Sequence, residues 1–122
     1  MSKTVNVSVG EYLDKITILQ IKQEKINNKE QLVNVNRELD LLLSLDDESI
    51  VGTELYTSLK NINEQLWDIE DRIRVKEKHQ HFDDEFISIA RSVYKLNDQR
   101  AAIKRQINLQ YASELIEEKS YE

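Results

Sequence analysis

Residues 55–73, LYTSLKNINEQLWDIEDRI, and residues 89–107, IARSVYKLNDQRAAIKRQI, decide the fold of this chain. In the first stretch Leu55, Leu59, Ile62, Leu66, Ile69 and Ile73 step forward by 4-3-4-3-4 residues. In the second, Ile89, Val93, Leu96, Ile103 and Ile107 keep the same rhythm, with Arg100 on the one rung that is not apolar. A repeat of about 3.5 residues is the seam of two long helices packed side by side. Folded antiparallel about a turn near His81, the rungs meet in order. Ile73 faces Ile89, Ile69 faces Val93, Leu66 faces Leu96, Leu59 faces Ile103, and Leu55 faces Ile107. Arg100 then lies opposite Ile62.

Upstream of this hairpin the pattern changes. Thr4 to Val9 alternates polar and apolar, the period of a half-buried strand. With no second strand in the sequence, it either pairs with a symmetry mate or stays merely extended. Ser8 followed by Glu11 has capping-box spacing and opens a helix over about 9–26. Its apolar set (Tyr12, Leu13, Ile16, Ile18, Leu19, Ile21, Ile26) is too broad for one stripe, so it touches more than one neighbour. The phase of the pattern breaks at Asn27-Asn28, where Asn28 caps a second helix over about 29–45. Asp46-Asp47-Glu48-Ser49 is an acidic connector. Thr53 caps the third helix, and Asp83 caps the fourth, with Phe82 and Ile87 as a hydrophobic staple.

The expected fold is therefore all-α: an elongated antiparallel helical hairpin (about 53–78 and 84–111) with two N-terminal helices, in one domain spanning 1–122. Residues 112–122 form an acidic and flexible tail. The chain has no Pro and only two Gly, which favours long helices. Each hairpin helix would be about 40 Å long, against a radius of gyration near ~14 Å for a compact chain of this size. The hairpin overhangs its own globule, and a homodimer is the expected way to cover its apolar flank.

Composition narrows the function classes. The net charge of −6 is spread evenly, with 6 basic and 9 acidic residues in 1–52, 5 and 7 in 53–83, and 6 and 7 in 84–122. No segment is basic enough to track a phosphate backbone, so a nucleic-acid partner is not expected. The Arg72, Arg74, Lys76, Lys78 cluster is interleaved with acids and reads as a solvated helix face. There is no apolar run of membrane-spanning length and no signal peptide. With no Cys, disulfides and thiolate metal sites are excluded, and a cytoplasmic location is the simplest expectation.

Arg100 is the residue that chemistry singles out. A guanidinium in an apolar seam must meet a carboxylate or an anionic ligand, because an unpaired buried charge costs several kcal/mol. Asp14, Glu11 and Glu64 are its candidate partners, while Asn97, Asp98 and Lys104 lie within about a turn of it. A second constellation joins Glu70, Asp71 and Arg74 to Arg91, with a salt bridge expected between Asp71 and Arg91. His79 and His81 lack a third rigid ligand and carry no metal site. The acidic rows Glu11/Asp14 and Glu64/Asp68/Asp71 match the magnesium pyrophosphatase pattern only loosely. No phosphate loop, nucleophile elbow or cofactor motif is present.

Several motifs together resemble an uncharacterised family of small bacterial and phage proteins, a domain of unknown function. They are Val7-Ser8-Val9-Gly10-Glu11 with Asp14-Lys15 and Thr17-Ile18-Leu19, then Trp67-Asp68-Ile69-Glu70-Asp71 with Ile73-Arg74, and Ala90-Arg91-Ser92-Val93-Tyr94. Asn97-Asp98-Gln99-Arg100-Ala101-Ala102 with Lys104, Ile107-Asn108, and Glu117-Glu118-Lys119-Ser120-Tyr121 complete them. The resemblance implies genes lying near polysaccharide and glycosyltransferase genes, and it carries over no catalytic residue. The Ser120-Tyr121 ending suggests a tail that docks on the body or on a partner. Two functions follow as expectations: a self-associating binding or assembly module with a protein partner, or a small enzyme or sensor. The second would hold an anionic metabolite, a nucleotide sugar or phosphosugar, between Arg91, Arg100 and Lys104, with Asp14, Glu70 or Asp71 as acid, base or orienter.

Overall fold

The computed structural model of the chain describes residues 1–46 and 49–120. Among them it contains four α-helices and no strand: α1 Val9–Lys25, α2 Lys29–Leu43, α3 Glu54–Lys78 and α4 Asp84–Gln110. Each starts at the capping residue its sequence offers. Ser8, Asn28, Thr53 and Asp83 accept from the backbone N–H of Glu11, Gln31, Tyr56 and Phe86, so each helix has one orphan donor satisfied. The break between α1 and α2 is real, with Ile26 in extended conformation.

Several expectations are corrected. Residues 4–8 form no strand, and Val5 and Val7 lie exposed, because the described residues offer no edge for them to pair with. The capping box is half made: Glu11 turns away from Ser8 and accepts from Lys104 at 2.7 Å. α2 stops two residues short of Leu45, where the Ser44 hydroxyl donates to the Leu41 carbonyl at 2.6 Å. The Phe82–Ile87 staple gives way to an edge-on contact of Phe82 with Phe86, ring centroids 5.3 Å apart, and Ile87 is left exposed. Asp71 pairs with Arg74 at 3.5 Å on its own helix, and no ion pair joins it to Arg91. Asp46 folds the connector by accepting from the amides of Ile50 and Val51 at 2.9 and 3.2 Å; Asp47 and Glu48 lie outside the described residues.

The broad apolar surface of α1 is used as expected. Leu13, Ile16 and Leu19 are buried in one core with Val35 and Leu39 of α2, Tyr56 and Leu59 of α3, and Ile107 of α4. A smaller core holds Ile62 and Leu66 of α3 with Leu96 of α4, flanked by Ile69 and Ile103. Beyond the Lys25–Asp68 contact of 3.8 Å the last turns of α3 meet the first turns of α4 through polar pairs. Arg72 reaches Glu85 at 2.9 Å, and Lys76 reaches Asp83 at 3.0 Å.

α1 and α4 approach most closely at Gly10. The first three helical amides of α1 would be unpaired, and all three find side chains. Val9 donates to Ser113 Oγ at 3.1 Å, Gly10 to Asn108 Oδ1 at 2.6 Å, and Glu11 to Ser8 Oγ at 3.0 Å. A Cβ on Gly10 would come within 2.6 Å of the Lys104 carbonyl oxygen. That oxygen belongs to the backbone of α4 and cannot turn aside. Gly10→Ala is therefore expected to destabilise the fold by about 1–3 kcal/mol, read as a lower midpoint in urea unfolding followed by circular dichroism; an unchanged midpoint would contradict this contact.

Candidate anion-binding cleft

Three helices meet at one buried carboxylate. Asp14 of α1 is 1% exposed. Its Oδ1 accepts from Arg100 Nε at 2.9 Å and from Asn63 Nδ2 at 2.9 Å, and its Oδ2 accepts from Arg100 Nη2 at 2.5 Å. Thr17, one turn along α1 from Asp14, bridges the group. Its hydroxyl donates to the Asp14 carbonyl at 2.7 Å and accepts from Asn63 at 2.8 Å. Of the three partners the sequence allows Arg100, the structure chooses Asp14; Glu11 goes to Lys104, and Glu64 lies 3.8 Å from Lys60.

The fork geometry holds Arg100 rigidly by one edge. Asp14 raises its already high pKa, first through the hydrogen bonds and then through charge, against the opposing effect of burial, with weaker fields from Glu11 and Glu70. The third nitrogen, Nη1, has among the described residues only a long 3.4 Å contact to Asn97 Oδ1. This arm borders a cleft of about 500 Å³ along α4, lined by Val93, Tyr94, Asn97, Arg100, Ala101, Lys104 and Lys119. Helical spacing puts positions 93, 97, 100, 101 and 104 on a single face. Among the described residues the cleft wall thus carries three cationic side chains, an amide, an aromatic ring and no carboxylate.

Lys104 is the second fixed cation. Burial pushes its ammonium down, but the Glu11 hydrogen bond and the charges of Asp14, Glu11 and Glu117 more than offset this, so its pKa is raised. Lys119, from the segment after α4, reaches Asp98 at 2.9 Å.

The expected site residues are thus only partly gathered. Arg100, Asn97 and Lys104 line the cleft, Asp14 stands behind Arg100, and Asp98 anchors Lys119. Arg91 lies apart, beside Asp84, Ser88 and Lys95. Glu70 and Asp71 are exposed and lie 3.9 and 3.5 Å from Arg74. In the acidic rows Glu11, Glu64 and Asp68 are engaged by Lys104, Lys60 and Lys25, and Asp14 and Asp71 by Arg100 and Arg74. Among the described residues no group of three His, Asp or Glu is placed to hold a metal ion.

Within residues 112–122, expected as an acidic and flexible tail, several side chains contact the body. Ser113 accepts from Val9, Glu117 from Ser8 at 3.0 Å, and Glu118 from Arg105 at 2.6 Å. Tyr121, the other half of the ending expected to dock, lies outside the described residues. Thr17, Asn108 and Glu117 enter the sequence reading only as motif residues of the family resemblance, with no role assigned, and Asn63 does not enter it. For Asn63 and Asn108 a signal existed: each directly follows an apolar rung, Ile62 or Ile107, and so sits at the seam edge.

A family model described as "Family of unknown function (DUF6165)" matches residues 3–122. The chain belongs to this family. No curated protein and no solved structure matches it. For this DUF6165 protein the buried polar network and the cleft in front of it therefore carry the functional argument.

Because its folded pKa is raised, Lys104 stabilises the fold below the ordinary lysine value of 10.5 and loses that contribution as pH rises through the folded value. The stability difference between the wild type and Lys104→Met should be constant from neutral pH to about that value and should shrink above it. Urea unfolding at a series of pH values reads this, and a gap that widens in alkali would contradict the assignment.

Proposed function

We propose that this protein is a small helical binding module whose ligand is an anion held in the α4 cleft. The observation that carries this is the outward arm of Arg100: its other edge is locked on buried Asp14, and among the described residues Nη1 has only the long contact to Asn97. A guanidinium fixed in this way loses little freedom on meeting a carboxylate or phosphate, which is what makes a site preorganised. Lys104 and Lys119 add positive charge on the same wall, and Tyr94 adds an exposed ring. Binding is favoured over catalysis because Asp14, the buried carboxylate behind Arg100, is committed to Arg100 and Asn63. The family resemblance, with its bacterial or phage source and polysaccharide gene neighbours, makes nucleotide sugars and phosphosugars the first ligands to try. A cytoplasmic location fits that ligand class.

A thermal-shift series on the full chain with phosphate, pyrophosphate, sugar phosphates and nucleotide sugars at fixed ionic strength tests the proposal. A saturable rise in melting temperature is expected with at least one of them. Arg100→Lys keeps a cation for Asp14 but removes the free guanidinium edge, so it should abolish or greatly reduce the rise. No response to any of these anions, or an equal response in Arg100→Lys, would refute it.

Self-association is a second part of the same proposal. We take α3 and α4 as an antiparallel hairpin with a coiled-coil-like seam, supported by Leu66 and Leu96 in one core and by the Arg72–Glu85 and Lys76–Asp83 pairs at one end. At that end Val75, Phe82 and Ile87 are each more than half exposed, an apolar flank that a second copy would cover. Light scattering coupled to size exclusion should give about twice the chain mass of 14.4 kDa. A monomer mass at all concentrations would remove the dimer without touching the cleft.

A further inference from the structure

The chain after α4 is turned back by a left-handed residue. Ala112 has φ 49°, and the amide of Ser113 donates to the Asn108 carbonyl at 2.9 Å, the long bond of a Schellman ending. Beyond Ser113 no regular structure holds the segment, and its side chains do the work. The carboxylate of Glu117 sits between the hydroxyl of Ser8, which donates at 3.0 Å, and the ammonium of Lys104 at 3.4 Å.

The two donors of this seat are well buried: Ser8 is 3% exposed, and the side chain of Lys104 is 13% exposed. Glu117 itself is 54% exposed at its side chain. Ser8 Oγ already accepts from the Glu11 amide, so its proton is free to point at an anion. A third donor stands by. Asn108 is 1% exposed and lines the small cavity of about 140 Å³ that Lys104 and Glu117 also line. Its Oδ1 is claimed by the Gly10 amide, which fixes the orientation of the side chain, and its Nδ2 is buried without a partner among the described residues. An unmet buried donor keeps its desolvation cost without a bond in return, so it points to an occupant with more acceptors than the present one. A carboxylate brings two oxygens; a phosphate group brings three or four.

We propose that the seat of the Glu117 carboxylate is a phosphate subsite, filled in the free protein by the chain's own tail and taken over by the phosphate group of the bound ligand. Ser8, Lys104 and Asn108 are its three donors. The subsite adjoins the α4 cleft, with which its cavity shares Ala101, Lys104 and Lys119. This rests on the reading of the cleft as an anion site and narrows the ligand to a phosphorylated compound. Glu117 acts as an internal competitor: the ion pair it makes is half exposed and weak, as a displaceable surrogate requires. The apparent affinity for phosphate is reduced by the fraction of molecules in which Glu117 occupies the seat.

Isothermal titration of the full-length protein with inorganic phosphate, at fixed ionic strength, tests this. Glu117→Gln should bind phosphate about fivefold or more tightly than the wild type, because the competitor loses its charge. Glu117→Ala should do the same without leaving an amide oxygen behind. Glu114→Gln changes net charge equally, has no tie to the seat, and should match the wild type. Amide hydrogen exchange over residues 113–119 should speed up when the wild type is saturated with phosphate. Phosphate binding of equal strength in all four proteins, or weaker binding by both Glu117 variants, overturns the subsite and leaves the cleft reading standing. No phosphate binding by any of the four overturns the subsite, while the cleft reading is decided separately by the Arg100→Lys comparison with other anions.

Discussion

Burying one carboxylate organises this molecule. Asp14 is withdrawn from water at the meeting point of three helices, and a lone charge there would cost several kcal/mol. The cost is met only when Arg100 of α4 presents its fork and Asn63 of α3 its amide, both at hydrogen-bond distance. Apolar contacts would let the helices slide or rotate with modest loss. The Asp14 network does not, because a displacement of one turn on any helix breaks hydrogen bonds to a buried charge. Leu13 and Ile16 supply the hydrophobic contribution beside it, and Asp14 supplies the register.

A second polar tie fixes the other end of α1. From Asp14–Arg100 through Glu11–Lys104 to Gly10–Asn108, residue numbers fall on α1 as they rise on α4. The bare Cα of Gly10 lets the backbones approach until the helix amide meets Asn108 directly. Ser113 and Glu117 extend this contact past the end of α4. The N-terminus of α1 is thereby closed by side chains from the other end of the chain, in place of the solvent or strand partner that its alternating sequence suggests.

The cations of the cleft differ in how firmly they are held. Arg100 is committed to a carboxylate that cannot leave. Lys104 shares one fixed partner, Glu11, and one from the tail, Glu117. Lys119 meets Asp98 at the surface, in a pair that solvent and salt weaken. An arriving anion would therefore encounter a rigid guanidinium at one point and exchangeable pairs at others. That gradient, with the open Nη1 arm and the unmet Asn108 amide, distinguishes the surface from an ordinary charged helix face.

Much of the architecture was legible in local chemistry. The apolar ladders, the Ser8, Asn28, Thr53 and Asp83 caps and the phase break at Asn27-Asn28 located all four helices to within two residues, because periodicity and capping are properties of neighbouring residues. Arg100 was legible as an anomaly, since a charge in an apolar seam must be paired. Other features depend on distant segments. Asn63 and Asn108 differ little from exposed asparagines until α1 covers them. Glu117 reads as part of an acidic tail until the turn at Ala112 aims it at Ser8, and Glu70 and Asp71 look convergent with Arg91 but pair instead with Arg74 on their own helix. The sequence by itself determined where helices form and that Arg100 needs a partner, since backbone hydrogen bonding and desolvation act locally. Only the tertiary structure decided that the partner is Asp14, and that the tail closes over the N-terminus of α1. Both come from contacts 86 and 109 residues apart along the chain, whose pairing is set by the packing of whole helices.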